Sequence, residues 1–198
     1  MSKFEQVVKA FQAYHNKNGN FPPAFNVDAS GKPLLSWRVH LLPFIGEEQL
    51  YRLFHLDEPW DSEHNKTLIN QVPYDYRPGE TLVQRKKESR TRFVVPTGPG
   101  MAFEGKDVLK ISDFTDGTSN TIMVVEVAAS EAVIWTKPDD LIVDVDMPHR
   151  NLTRSQGDVF LVGFADGMTH ALKENITADI LKALFTRKGG EVIPPNSF

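Results

Sequence analysis

Residues 3–17 read KFEQVVKAFQAYHNK, and the fold turns on how this stretch is interpreted. Phe4, Val7, Val8, Phe11 and Tyr14 recur at helical spacing, while Lys3, Glu5, Lys9 and Gln12 fall between them. That period predicts an amphipathic helix with one face made for a core. Ser2 is a suitable N-cap. Gly19 and the Phe21-Pro22-Pro23 that follows must end the helix, because proline lacks an amide proton and biases its predecessor away from helical angles. A helix of this kind needs an apolar surface to lie on.

That surface is expected in the second half of the chain. Residues 92–95, 121–127, 132–136, 158–165 and 168–172 are rich in β-branched and aromatic side chains and are separated by Gly, Pro, Asp and Asn. They predict an antiparallel sheet. Its clearest hairpin turns through Asp166-Gly167, where glycine tolerates the positive φ of a tight turn. Thr177 then caps a last helix carrying Ile180, Leu181, Leu184 and Phe185, expected to close at Lys188-Gly189-Gly190.

Between the opening helix and the sheet, residues 20–90 read as a helical and loop region. Asp28 to Lys32 is a turn, and a short helix is expected across Leu34, Leu35, Trp37, Val39, Leu41 and Leu42 up to Pro43. Residues 46–54 form another, with Glu47 and Glu48 placed favourably against its dipole. Asp61 is the expected cap of a helix over residues 62–70. From Tyr76 to Arg92 a basic stretch containing Arg77, Arg85, Lys86, Lys87 and Arg90 predicts a solvated loop or hairpin, with contact to an acidic partner as the alternative. The fold class is therefore α+β over one domain, residues 1–198: an N-terminal helix on an antiparallel sheet, a helical and loop insertion, and a C-terminal helix.

Composition narrows the function. The 198 residues carry 22 Lys plus Arg against 26 Asp plus Glu, a net charge of −4, which gives no long-range attraction to nucleic acid. Cysteine is absent, so disulfides, thiolate catalysis and sulfur-ligated zinc are excluded. No run approaches the roughly 18–20 consecutive apolar residues of a membrane span, so the chain as given is expected to be soluble. The six histidines, His15, His40, His55, His64, His149 and His170, show no metal-binding spacing. Neither Gly-x-Ser-x-Gly nor a Walker loop is present, and Ser119 beside Asp116 lacks an identifiable base. Enzymatic function is not expected.

Two stretches could hold a cation. Residues 113–120, DFTDGTSN, gather Asp113, Asp116 and Asn120 as oxygen donors near a glycine, the chemistry calcium prefers. The same residue types build turns by bonding their own backbone, and that reading is preferred. Asp61, Glu63 and His64 could face a metal, but helical geometry splays the last two apart, so capping explains them better. Trp37, Trp60 and Trp135, with Tyr74 and Tyr76, are assigned to core packing in preference to a ligand platform.

Several words of the sequence carry a resemblance. FQAYHNKNGNFPP at 11–23, SGKPLLSWRV at 30–39, LDEPWDS at 56–62, TGPG at 97–100, DGTSNTI at 116–122, WTKP at 135–138 and FADG at 164–167 occur in this order. Together they resemble the planctomycete prepilin-like family of unknown function, related to type IV pilins and type II secretion pseudopilins. The resemblance implies an exported subunit, anchored by a longer apolar helix that precedes residue 3, at the periplasm or cell surface. Its partners would be other pilin-like subunits or envelope proteins, its membrane contact only that helix, and its mechanism packing and display with no cofactor. Such families carry a histidine ten residues before the last Asp-Gly; here it is Gln156, and Met168 replaces the usual serine. The alternatives are a soluble or tethered module binding glycan, peptide or calcium, and a hydrolase built from scattered loops.

Overall fold

The computed structural model describes residues 2–77, 89–152, 158–195 and 197–198. Helix α1 spans Lys3–Asn18. Its start is fixed by a reciprocal pair of bonds: Glu5 N–H donates to Ser2 Oγ at 3.1 Å and Ser2 N–H donates to Glu5 Oε2 at 2.9 Å. Its end is Gly19, at φ +76°, whose N–H donates to His15 O. Phe4, Val7, Val8, Ala10 and Phe11 are buried, so the helix presents the face the spacing predicted.

The chain then forms a hairpin of β1 (Phe25–Val27) and β2 (Pro33–Ser36). Its turn is organised by Asp28 Oδ1, which accepts from the Ser30 N–H, the Ser30 hydroxyl and the Lys32 N–H. The helix expected across residues 34–42 is thus corrected: Leu34 and Leu35 are extended, and only α2 (Trp37–His40) is α-helical, followed by a 3₁₀ turn at Leu42–Phe44. Ser36 explains the change, since its hydroxyl accepts from Arg38 N–H and so caps a helix that cannot begin earlier. Of the helix expected over residues 46–54, only α3 (Glu48–Tyr51) is α-helical.

A helix over residues 62–70 does not form. That segment is turns and a 3₁₀ stretch at Asn65–Leu68 whose N-cap position is His64, not Asp61; Ser62 Oγ accepts from Asn65 N–H in the turn before it. Asn65 is fully buried; its amide donates to His55 O, Glu58 O and Pro59 O and accepts from His55 N–H. An asparagine that satisfies a loop's main chain competes with the helical alternative.

The main sheet contains β4 (Phe93–Val94), β6 (Ile122–Glu126), β9 (Val159–Phe164) and β10 (Thr169–Lys173), in the order β10-β9-β6-β4, every pair antiparallel. The β9–β10 hairpin closes through Asp166-Gly167 with Gly167 at φ +89°. The strand expected at 132–136 shrinks to β7 (Val133–Ile134), which pairs with β3 (Arg90–Thr91) outside this sheet, because Trp135 turns inward to become a fully buried core residue. A short parallel pair joins β5 (Pro96–Thr97) to β8 (Leu141–Ile142).

Both faces of the main sheet are covered. Phe93, Met123, Val124 and Ala165 belong to a core shared with α1 and residues 21–76. Val94, Ile122, Val125, Phe160, Val162 and Phe164 belong to a second core with helix α4 (Ala178–Phe185). Burial on two sides explains why the central strands β6 and β9 are almost continuously apolar, whereas the edge strand β10 buries only Leu172. The architecture is α+β, with α1 lying on antiparallel strands. A Cβ at Gly163 would sit 2.3 Å from Val8 Cγ2 and 2.8 Å from Val124 Cγ1, so this glycine lets α1 approach β9. Gln12 also donates its side-chain amide to Ala165 O. Helix α4 ends at Phe185, earlier than the expected Lys188-Gly189-Gly190, because Arg187 is drawn inward to Met101 O and Glu104 Oε1.

Candidate functional site

The densest buried polar chemistry forms where α2, β4 and the segment before β8 meet. Ser36 starts α2 and directs both Trp37 and Arg38 into the interior. Arg38 is completely buried. Its Nε donates to Phe93 O at 2.9 Å, Nη1 to Ser36 Oγ at 2.7 Å and to Asp139 O at 3.3 Å, and Nη2 to Asp140 Oδ1 at 2.7 Å. The guanidinium lies 4.6 Å from the centre of the Trp37 ring. Such stacking suits a weakly hydrated planar cation.

Asp140 is equally enclosed, its side chain only 4% exposed. Its two oxygens are treated unequally. Oδ1 accepts from Arg38, from Trp37 Nε1 at 3.1 Å and from Val95 N–H at 2.9 Å, whereas Oδ2 accepts from nothing among the described residues. An unmade bond of this kind costs about 1–3 kcal/mol. Burial holds the carboxyl above the usual aspartate range, against the downward pull of Arg38 and the donors on Oδ1. Around this pair stands an aromatic cluster: Phe11 on Trp37, Trp37 on Tyr76, and Tyr76 on Trp135. Tyr76 donates its hydroxyl to Arg38 O and Trp135 its indole to Ile69 O.

The residues singled out from the sequence lie elsewhere. Asp113 Oδ2 accepts from Lys110 N–H, and the Asp116 carboxylate accepts from the N–H groups of Gly189 and Gly190. Asn120 donates to Asp116 O. The three therefore hold turns and tie residues 113–120 to the chain after α4. His64 donates its Nε2–H to Leu53 O at 2.7 Å. Its ring stacks on His55 at 3.5 Å, while Glu63 pairs with Lys66. Among the described residues no group of three or more His, Asp or Glu is gathered as a metal would require.

Trp37 and Trp135 are core residues, and Trp60 is half-buried with the Lys137 ammonium over its ring at 5.7 Å. Tyr76 is buried and Tyr74 exposed. Of the basic stretch, Arg85, Lys86 and Lys87 lie outside the described residues, as does Gln156. Arg77 donates to Val72 O, Arg90 to Ala132 O and Arg92 to Val127 O.

Sequence reasoning missed Arg38 and Asp140 as a pair. They stand 102 positions apart, and no spacing rule joins them. A signal existed only in context: Ser36, Arg38 and His40 are the polar residues in an otherwise apolar run from Leu34 to Leu42.

A family profile described as "Protein of unknown function (DUF1559)" matches this chain over residues 1–98 and 94–158. Comparison with curated proteins and with solved structures gives no match.

Proposed function

This chain belongs to the DUF1559 family of proteins of unknown function, and we propose that it acts as a non-enzymatic pilin-like or pseudopilin-like subunit, exported to the cell envelope, whose work is packing and display. The observation that carries the reading is the docking of amphipathic α1 along an antiparallel sheet, with Val8 seated on Gly163. A pilin-like subunit needs such a joint, because a helix that assembles with its neighbours must be rigidly held by the body it carries. The prepilin-like words at 11–23, 30–39 and 116–122 support it. The buried charges support it as well, since Arg38 and Asp140 tie elements together through four hydrogen bonds from the enclosed guanidinium to protein acceptors.

In this reading α1 is the sheet-docked part of a longer apolar helix that supplies the membrane contact, and the partners are other pilin-like subunits or envelope proteins. No described helix is itself long and apolar enough to cross a membrane. The test is fractionation and cross-linking of the protein in its native cells. Recovery in the envelope fraction, with cross-links to itself or to other subunits, is the expected result. Recovery in the cytosol without such cross-links overturns the reading.

A further inference from the structure

The main sheet ends in β4 on one side and β10 on the other, and the two edges are treated differently. At β4 the bond from Val127 N–H to Arg92 O sets the alternation of the ladder, so Phe93 turns its backbone outward. Both of its groups are taken. Its N–H donates to Thr91 Oγ1 at 3.2 Å, and its carbonyl accepts from Arg38 Nε at 2.9 Å.

The β10 edge is open. Phe164 N–H donates to Met168 O and Glu174 N–H to Asp158 O, each at 2.8 Å, which makes the even-numbered residues of β10 the ones that face β9. Thr169, Ala171 and Lys173 therefore turn their N–H and C=O groups the other way. Among the described residues nothing accepts from these N–H groups, and of the carbonyls only that of Lys173 is used, by Ile176 N–H at 3.1 Å. Ala171 and Lys173 are exposed. The features that blunt a sheet edge are missing from the middle of this strand: it contains no proline, pairs with β9 without a bulge, and carries its lysine at the end.

The strand's own symmetry selects the partner. A second β10 laid antiparallel against this edge, with Ala171 facing Ala171 across a two-fold axis, sets Thr169 of each copy opposite Lys173 of the other. Every open N–H then meets an outward carbonyl. The side chains agree with this register. The smallest of them lies on the axis, and no like charges stand opposite each other. On the face that carries Leu172 toward α4, His170 falls opposite Leu172 and diagonal to Glu174 of the second copy, where a ring N–H can donate to the carboxylate. Neighbouring registers do worse. Centring on His170 puts two imidazoles face to face, and centring on Leu172 sets Thr169 against Asn175, which lies in the turn closed by Ile176 N–H.

We propose that two copies of this chain associate through β10, joining their four-stranded sheets into one continuous antiparallel sheet. The inference stands apart from the envelope reading: a chain recovered from any compartment can pair in this way, and a chain that stays monomeric leaves that reading untouched.

The experiment is sedimentation of the purified chain up to about 1 mM, with amide hydrogen exchange measured across the same range. A reversible dimer is expected, with exchange at Thr169, Ala171 and Lys173 slowing as it forms. Ala171→Lys sets like charges opposite each other on the axis, and Ala171→Pro removes the central N–H without touching the ladder to β9. Each is expected to weaken association about tenfold or more while the chain stays folded, and the lysine variant alone decides the matter if the proline variant unfolds. A monomer at every concentration overturns the proposal. So do a dimer that leaves exchange at the three amides unchanged, a dimer that the folded variants do not weaken, and slowing of those amides only by a different protein that accompanies the chain from its native cells.

Discussion

His40 sits at the end of α2 with its Nε2 3.2 Å from Asn26 Oδ1, to which it donates. The same Asn26 oxygen accepts from Leu35 N–H, and the Asn26 amide donates to Leu56 O. Burial lowers the His40 pKa to about 4 from an ordinary value of 6.5. The folded chain therefore resists protonation that the unfolded chain accepts. Stability from this residue is complete above the unfolded value and is lost as pH falls from 6.5 toward about 4, a difference of about 3 kcal/mol at most. His40→Gln keeps a donor for Asn26 and removes the titration. Urea unfolding midpoints followed over this range should fall less steeply for the variant than for the wild-type chain, and equal slopes would exclude His40 as the source.

Between elements, the contact of α1 with the β9–β10 hairpin is closer than any side chain larger than hydrogen permits at Gly163. Gly163→Ala places a methyl group against both Val8 and Val124, neighbours that are themselves fully enclosed. The expected cost is about 1–3 kcal/mol of overpacking. Val8→Ala creates room at the same point, so the double variant should lose less than the sum of the two singles, by a coupling of about 1 kcal/mol. Chemical denaturation of the four proteins measures it; strict additivity would mean that α1 does not rest on Gly163. At this scale the local signals were legible in advance. Ser2 with Glu5, Gly19, and Asp166-Gly167 act through bonds and dihedral preferences spanning a few residues, and they set the termini of α1 and the turn of the hairpin. Residues 62–70 and the end of α4 were not legible, because Asn65 and Arg187 choose partners from other segments.

Across the whole molecule, the Arg38–Asp140 pair fastens α2 to β4 and to the segment that leads into β8. Asp140→Ala would leave a guanidinium buried without its counter-charge, an expected loss of about 3–5 kcal/mol. Replacing both partners, Arg38→Met with Asp140→Leu, removes the uncompensated charge and should cost clearly less than Asp140→Ala alone. Unfolding midpoints of the two variants decide the matter; if the double variant is the less stable, the pair contributes net stability beyond avoiding an orphaned charge. The same pair leaves Asp140 Oδ2 buried and without a described partner, a cost the tie carries within the core.

The order of residues alone established an opening amphipathic helix, a late antiparallel hairpin and an α+β composition. Each depends on periodicity or on neighbours close in the chain, and short-range preferences are written where they act. The tertiary structure alone decided that Trp135 leaves its strand for the core, that Leu34 and Leu35 are extended, and that Arg38 meets Asp140. Those outcomes depend on which distant groups can satisfy a buried charge or fill a volume, and that competition is resolved only when the whole chain packs.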